Sequence, residues 1–329
     1  MRYLITGGAG YIGSNLVDDL IERDDEVWIL DDLSAGKREN IAHHFGKPNF
    51  RFVEGSILDE PLVDDLVADS DAVFHLAARL TVQWVHEHPL DALKVNVRGT
   101  EVVLQHCTRH GKRVVVASSS EVYGISDERP FSEDGPRVLG PTNIPRWSYA
   151  TAKALDEHLA YGFAMDGGLQ FSAVRYFNSY GPRIDEAGYG SVIARFIQRS
   201  FNNKPLEIYG DGEQVRAFAY IDDTVEGTIA AMERDEALGE VFNIGSRFAV
   251  TINELAKKVR GLAGSKSEIV HIPYKDVFGP HFSDIPHRVP DTKKAKELLG
   301  YEAQVDLDLG LKRTIEWARV HYISAENTG

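Results

Sequence analysis

Tyr149 and Lys153 stand four residues apart in Ser148-Tyr149-Ala150-Thr151-Ala152-Lys153, so on a helix they lie one above the other on a single face. An ammonium beside a phenol favours the phenolate and draws its pKa down from about 10, towards the range in which tyrosine serves as a base. Upstream, Ser118-Ser119-Ser120-Glu121-Val122-Tyr123-Gly124 follows the apolar run 113–117. A continuous apolar run suits a buried parallel strand, and ligands of open α/β sheets sit beyond the carboxyl ends of such strands. Ser119 and Glu121 therefore fall where chemistry would take place. No His/Asp pattern accompanies Ser119, so it reads as a hydrogen-bonding hydroxyl rather than a nucleophile. A Tyr-x-x-x-Lys pair also occurs by chance on helix surfaces, and its meaning depends on the elements that position it.

The N-terminal stretch supplies such elements. Tyr3-Leu4-Ile5-Thr6 reads as a strand, Gly7-Gly8-Ala9-Gly10-Tyr11-Ile12-Gly13 as a turn, and residues 14–23 as an amphipathic helix. Gly7 permits the tight turn, Gly10 lets backbone approach a pyrophosphate, and Gly13 lets helix and strand pack closely. A second strand, 26–30, ends on Asp31. A carboxylate about 20 residues after the turn accepts a ribose 2′-hydroxyl and repels a 2′-phosphate, which favours NAD over NADP. Lys37 and Arg38 are the nearby cations that could tolerate a phosphate. A strand over 50–54 leads into Gly55-Ser56-Ile57, on the adenine side of such a site. The strand 72–76 ends in Leu76 and the small pair Ala77-Ala78, which suits backbone lying against a flat cofactor. His75, inside that apolar strand, reads as a core histidine.

At 329 residues the chain is long enough for one large domain or two that share an interface. No apolar run reaches membrane-spanning length. A net charge of -14 argues against general nucleic-acid binding. The immediate entry into a strand leaves no signal peptide, and the expectation is a cytoplasmic protein. Cys107 is the single cysteine and reads as a buried thiol. The twelve histidines are scattered, in pairs such as His43-His44 and His86/His88, without HExxH or Cys/His spacing. No metal site is expected.

The alternation of strands and helices predicts an α/β fold: a Rossmann, doubly wound parallel sheet with a smaller C-terminal α/β substrate lobe. Helical spacing is present over 90–110, which contains Asn96, and through 163 after Tyr149. A strand over 171–177 ends in Asn178, and beyond it the alternation weakens. A helix over 191–201, a strand 206–209 and Arg216 follow, and 221–232 with 241–245 read as returns to the first domain. Helices near 252–262, 293–299 and 307–318 complete the lobe. The expected division is 1–177 with 217–247 for the NAD-binding domain, and 178–216 with 248–329 for the lobe.

Together the glycine loop, Asp31, Phe74-His75-Leu76-Ala77-Ala78, Asn96-Val97-Arg98-Gly99-Thr100, the serine cluster, Tyr149/Lys153, Arg175-Tyr176-Phe177-Asn178 and Gly181-Pro182-Arg183 resemble the extended short-chain dehydrogenases/reductases that act on nucleotide sugars. The resemblance spans essentially the whole chain. It implies NAD held by Gly7, Gly10, Tyr11, Ile12, Gly13, Asp31, Ser56, Ile57, Leu76, Ala77, Ala78, Asn96, Tyr149 and Lys153. It also implies that Tyr149 removes the proton of the sugar 4-hydroxyl, that Lys153 holds the nicotinamide ribose and tunes the tyrosine, and that Ser119 bonds the sugar oxygen. Asn178 and Arg216 would contact the substrate phosphates, with Tyr209 near the base. A homodimer formed through the Tyr149 helix is a further implication.

Every member of that class first makes a 4-keto sugar. A 4-epimerase returns the hydride to the other face; a 4,6-dehydratase also needs a carboxylate base and an acid; a uronate decarboxylase holds a β-keto acid and needs its carboxylate oriented. Ser120 stands where the dTDP-glucose dehydratases carry Asp. Glu121, the Pro145-Arg146-Trp147 loop and the 278–291 segment with Arg288 resemble UDP-glucuronate decarboxylases, in which this arginine lies near the sugar. Arginine suits a bidentate carboxylate contact, although it could equally serve the pyrophosphate. Val85 and Phe282 depart from those relatives. The expected activity is NAD-dependent decarboxylation of UDP-glucuronate, with UDP-sugar 4-epimerisation and then 4,6-dehydration as the alternatives, and a non-enzymatic NAD-sensing scaffold as a remote one.

Overall fold

The computed structural model describes residues 1–79, 89–144, 146–185, 191–278 and 284–326. Val85, His86, His88, Pro145 and Phe282 lie outside the described residues, as does the side chain of Arg146.

Strands and helices alternate from the start: β1 (Arg2–Thr6), α1 (Tyr11–Glu22), β2 (Glu26–Asp31), β3 (Phe50–Glu54), α2 (Glu60–Asp69) and β4 (Ala72–His75). A helical run Pro89–Leu93 and a π-helical turn Lys94–Arg98 then lead into α3 (Gly99–His110), β5 (Arg113–Ser119), α4 (Arg146–Gly167) and β6 (Phe171–Tyr176). With the later strand Glu240–Ile244 they form a seven-stranded parallel sheet, in the order Glu240–Ile244, β6, β5, β4, β1, β2, β3. Parallel strands need helical crossovers, which cover both faces, and this is why Val114, Val115 and Val116 are all buried despite pointing in alternate directions. Ile5, Ile29, Phe74 and Val115 pack on one face; Leu4, Leu30, Val73, Val114 and Val116 pack on the other.

The strand order reverses between β1 and β4, which opens a crevice at their carboxyl ends. Two details there differ from the expectation. The first helix begins at Tyr11 rather than Ser14, with Gly10 extended as its N-cap, so part of the glycine loop is already helical. Gly7 is left-handed (φ 73°), and a Cβ on it would stand 2.7 Å from the Ala77 amide nitrogen. No side chain fits there, and the ends of β1 and β4 can therefore touch backbone to backbone.

Small sheets follow β6. Val215–Ala217 pairs antiparallel with Ala249–Thr251 and parallel with His287–Arg288, which sets Arg216 opposite Arg288. Ile197, Leu255, Val259, Leu311 and Ile315, from the later helices, share one apolar cluster with Ile5 and Ile29 of the large sheet. The later elements are therefore packed onto the sheet through a continuous core.

Beneath the end of β5 lies a buried polar chain. Arg175 of β6 and Glu157 of α4, each 5% exposed, meet through two hydrogen bonds, Nε to Oε1 at 2.9 Å and Nη2 to Oε2 at 2.7 Å. The Ser118 hydroxyl also donates to Glu157. Arg175 Nη1 donates to the Tyr123 hydroxyl, which donates to Asn243 Oδ1 at 2.7 Å. Asn243 in turn holds the Phe131 and Asp291 carbonyls. Removing one partner of a buried pair strands the other charge. Glu157→Ala is therefore expected to lose about 3–5 kcal/mol of stability in denaturant unfolding; a loss below about 1 kcal/mol would show that the pair does not hold the fold.

Burial also raises the pKa of several tyrosines. Tyr3 and Tyr220 are pushed up to about 12, and Tyr123, Tyr176, Tyr180 and Tyr301 are raised by the same cause. An acid raised in the folded state stabilises below its unfolded pKa, and that contribution is lost as pH climbs towards the folded value. Thermal midpoints are expected to fall progressively above pH ~10, and a flat profile up to pH ~12 would contradict the burial of these phenols.

Candidate active site

A cavity of about 550 Å³ opens at the carboxyl ends of β1 and β4, within the usual range for a small-molecule site. Gly7, Gly10, Tyr11, Ile12 and Gly13 form its floor; Asp31, Ile57, Leu76, Ala77 and Ala78 line one end; and Ser119, Tyr149, Lys153 and Asn178 line the other. A Cβ on Gly10 would meet only the Gly7 carbonyl, at 3.1 Å, so the backbone faces open space, whereas one on Gly13 would come within 2.3 Å of that same oxygen.

The residues present fit NAD. Bare backbone at the N-terminus of α1 suits a pyrophosphate. Asp31 is buried at the far end, where its carboxylate accepts the Ala9 and Leu33 amides at 2.9 and 2.8 Å. Burial raises its pKa and those two amides oppose the rise. The lone pairs left on the carboxylate can accept hydroxyl donors. Of the two cations noted in the sequence, Lys37 faces Asp185 of the cavity wall at 3.7 Å and Arg38 faces Glu54 at 3.6 Å.

Two residues expected at the cofactor do not line the cavity. Asn96, inside the π-helical turn, is buried and bonds both the amide and the carbonyl of Arg79. It fixes the wall beyond Ala78 without lining the cavity. The Ser56 hydroxyl turns to the Leu58 amide at 3.2 Å, and its neighbours Gly55 and Ile57 line the cavity instead. Side-chain direction in a turn depends on the next residues' backbone, which spacing does not reveal.

At the other end α4 brings Tyr149 and Lys153 under the end of β5. Lys153 is 1% exposed, and its Nζ donates to the Ala117 carbonyl at 2.9 Å and to Asp156 Oδ2 at 3.0 Å. Two of its three N–H groups thus serve the protein. Here the structure corrects the simplest sequence argument, that Lys153 lowers the tyrosine. Burial raises the Tyr149 pKa well above the usual value; a hydrogen bond with Ser119 works the other way, and the Glu121 and Asp156 carboxylates add to the rise. Asp156, three residues after Lys153 on the same helix, neutralises the ammonium, and an i, i+3 acid was the signal available for it. Ser119 also caps the short turn Ser120–Tyr123 by accepting the Glu121 amide at 3.2 Å.

Glu121, two residues after Ser119 in that short turn, forms an ion pair with Arg288, 167 residues later. The other arm of Arg288 donates to Asn178 Oδ1 at 2.7 Å, and the Asn178 amide donates to the Ala217 carbonyl at 2.7 Å. Arg216, beside Arg288 in the small sheet, pairs with Asp284 Oδ2 at 2.9 Å, which also accepts from the Tyr274 hydroxyl. Burial, then the neighbouring Arg288, lowers Arg216 to about 10. Tyr209 has the Arg195 guanidinium 4.1 Å over its ring, and Gln214 Nε2 donates to both the Tyr209 carbonyl and the Tyr274 hydroxyl. Asp284 and Tyr274 had no sequence signal, because their importance comes only from the pairing of His287–Arg288 with Val215–Ala217. Trp147 is buried against Gly140, where a Cβ would lie 2.2 Å from the indole nitrogen, so the loop before α4 folds back on the helix's first turn.

Residues 3–245 match the NAD dependent epimerase/dehydratase family. The UDP-N-acetyl-alpha-D-glucosaminuronate decarboxylase of Bacillus cytotoxicus is 43% identical over 97% of this chain and 98% of its own length. UDP-glucuronic acid decarboxylase 1 of Arabidopsis thaliana is 35% identical, over 96% of this chain and 69% of that protein. The solved UDP-glucose 4-epimerase of Thermotoga maritima superposes with a TM-score of 0.88 at 35% identity, covering 98% of this chain and all of that one. With the glycine loop, Asp31 and the Ser119, Tyr149, Lys153 cluster arranged as described, the chain belongs to the NAD dependent epimerase/dehydratase family.

Proposed function

We propose that this chain is a UDP-uronate decarboxylase that works through a 4-keto sugar. The observation that carries the reading is the Glu121–Arg288 ion pair, in which Glu121 follows Ser119 by two residues and its charge acts on the Tyr149 phenol. A guanidinium offers a carboxylate two parallel donors, so a uronate carboxylate can take the place of Glu121 on Arg288. That exchange keeps the arginine paired throughout, and it would leave Glu121 beside the reacting carbons. The Bacillus and Arabidopsis relatives, both named decarboxylases of UDP-linked uronates, support the same reading.

NAD, when bound, supplies the hydride acceptor. Tyr149 takes the proton of the sugar 4-hydroxyl, Ser119 holds that oxygen, and Lys153 keeps one N–H towards the cavity. Oxidation at C4 places a ketone β to the C6 carboxylate. The C5–C6 bond then breaks with its electrons moving into the C4 carbonyl, carbon dioxide leaves, and C5 is protonated. Holding the carboxylate out of the ring plane is the protein's main contribution to this step. In this reading Arg216 and Asn178 would meet the diphosphate by exchanging their present partners, and residues 178–216 and 248–329 would hold the sugar nucleotide.

The Thermotoga similarity favours one second reading, a UDP-sugar 4-epimerase, in which Arg288 would serve the pyrophosphate alone. A homodimer is inferred from Leu155, Tyr161 and Met165, which leave apolar surface exposed along α4. Among the described residues no helix is long and apolar enough to cross a membrane.

The two uronates named in the relatives differ at C2, and both are substrates to test. With NAD, the protein is expected to release carbon dioxide from UDP-glucuronate or its 2-acetamido counterpart, and Tyr149→Phe to slow release about 10²–10⁴-fold. Clean 4-epimerisation without gas release would replace decarboxylation with the second reading, and unchanged turnover in Tyr149→Phe would remove its assigned role.

A further inference from the structure

On the face of the sheet that α2 and α3 cover, a second chemical cluster takes no part in the reading above. His106 and His110 stand four apart on α3 and therefore share one face; Asp64 reaches them from α2. His110 Nε2 lies 2.6 Å from Asp64 Oδ1, and His106 Nδ1 lies 2.9 Å from the same oxygen. The second contact is close but off the line that a ring N–H needs, and among the described residues neither ring nitrogen of His106 makes a hydrogen bond. His106 is 6% exposed. A buried imidazole whose Nδ1 has only this misaligned carboxylate contact and whose Nε2 has no partner is costly, and native proteins normally satisfy such groups.

We infer that Asp64, His106 and His110 form a binding site for a divalent transition ion of the zinc type, which clamps α2 to α3. Two imidazoles and a carboxylate, with a fourth position open to water, are a set that zinc takes and that calcium and magnesium, which prefer oxygen, do not. His110 and Asp64 are partly exposed, so water can complete the shell. Ligands at ~2.1 Å from a tetrahedral ion lie about 3.4 Å apart, so Asp64 Oδ1 has to withdraw by less than about 1 Å, a change within reach of side-chain rotation. Arg109 Nη1 holds the other oxygen, Asp64 Oδ2, at 3.0 Å. Such a contact orients a ligating carboxylate from outside the shell.

The other His/Asp cluster, Asp18 with His43 and His44, is already satisfied. Both histidines bond Asp18 Oδ1 through Nε2, and His44 Nδ1 meets Lys47 at 3.0 Å. It serves as the internal control. A protein-built metal site was not expected from the sequence, because His106 and His110 become a ligand set only when the fold adds Asp64.

The test uses the full chain, freed of metal with a chelator and then titrated with zinc and, separately, with cobalt. One zinc per chain is expected by calorimetry, cobalt is expected to give the intense visible bands of a four-coordinate ion, and zinc at ~100 times its dissociation constant should raise the thermal midpoint by about 3–5 °C. His110→Gln and Asp64→Asn, both at partly exposed positions, should abolish all three signals, and His43→Gln should leave them intact. Absence of stoichiometric zinc in the wild type, signals that survive His110→Gln and Asp64→Asn, or signals lost in His43→Gln would each overturn the site.

Discussion

The buried ion pair between Arg175 and Glu157 is the constraint on which the site's geometry rests. Burial works against the Arg175 charge, and the Glu157 carboxylate with its two hydrogen bonds more than offsets it, leaving the guanidinium's pKa raised. The pair joins β6 to α4, the helix that carries Tyr149 and Lys153. Through Ser118 it also fixes the end of β5, one residue before Ser119. Through Tyr123 and Asn243 it reaches the Asp291 carbonyl, three residues beyond Arg288. One polar chain in the interior therefore sets the relative positions of the hydroxyl pair and of the arginine. Such a network is rigid only when each member is satisfied.

Two kinds of charge placement occur, one in the cavity wall and one beside it. Lys153 is buried and matched by Asp156, so its ammonium is held without leaving strong net charge on the phenol, and Tyr149 stays protonated in the ligand-free protein. Arg288 and Arg216 are different. They stand side by side, each matched by a carboxylate, Glu121 or Asp284, that an anionic ligand can displace. The structure thus keeps its cations paired before substrate arrives, and the proposed chemistry draws on exchange of partners rather than on burial of unpaired charge.

Much of this was legible in the sequence. The glycine loop, Asp31 and the apolar runs of β1 to β6 have local causes, and these elements form close to where periodicity and turn residues place them. Tyr149 over Lys153 follows from a helical spacing. Glu121 could be placed at a strand's carboxyl end but Arg288 only by resemblance, and nothing local in either brings them together across 167 residues. Asn96 and Ser56 show the converse. Their position near the cofactor loop was readable, but the direction of their side chains is decided by the π-helical turn and by the Leu58 amide. Asp284 and Tyr274 acquire a role only through the small sheet, a pairing between segments with no shared pattern. The same holds for Asp64, His106 and His110.

The central claim is that Arg288 receives the carboxylate of the sugar. Calorimetric binding of UDP-glucuronate and UDP-glucose to the NAD-bound protein, in a Tyr149→Phe background that halts turnover, tests it most directly. Wild-type Arg288 is expected to favour the uronate by about tenfold or more, a difference of about 1.4 kcal/mol, and Arg288→Gln to erase that preference while still binding UDP-glucose. A uronate preference that persists in Arg288→Gln would contradict the account.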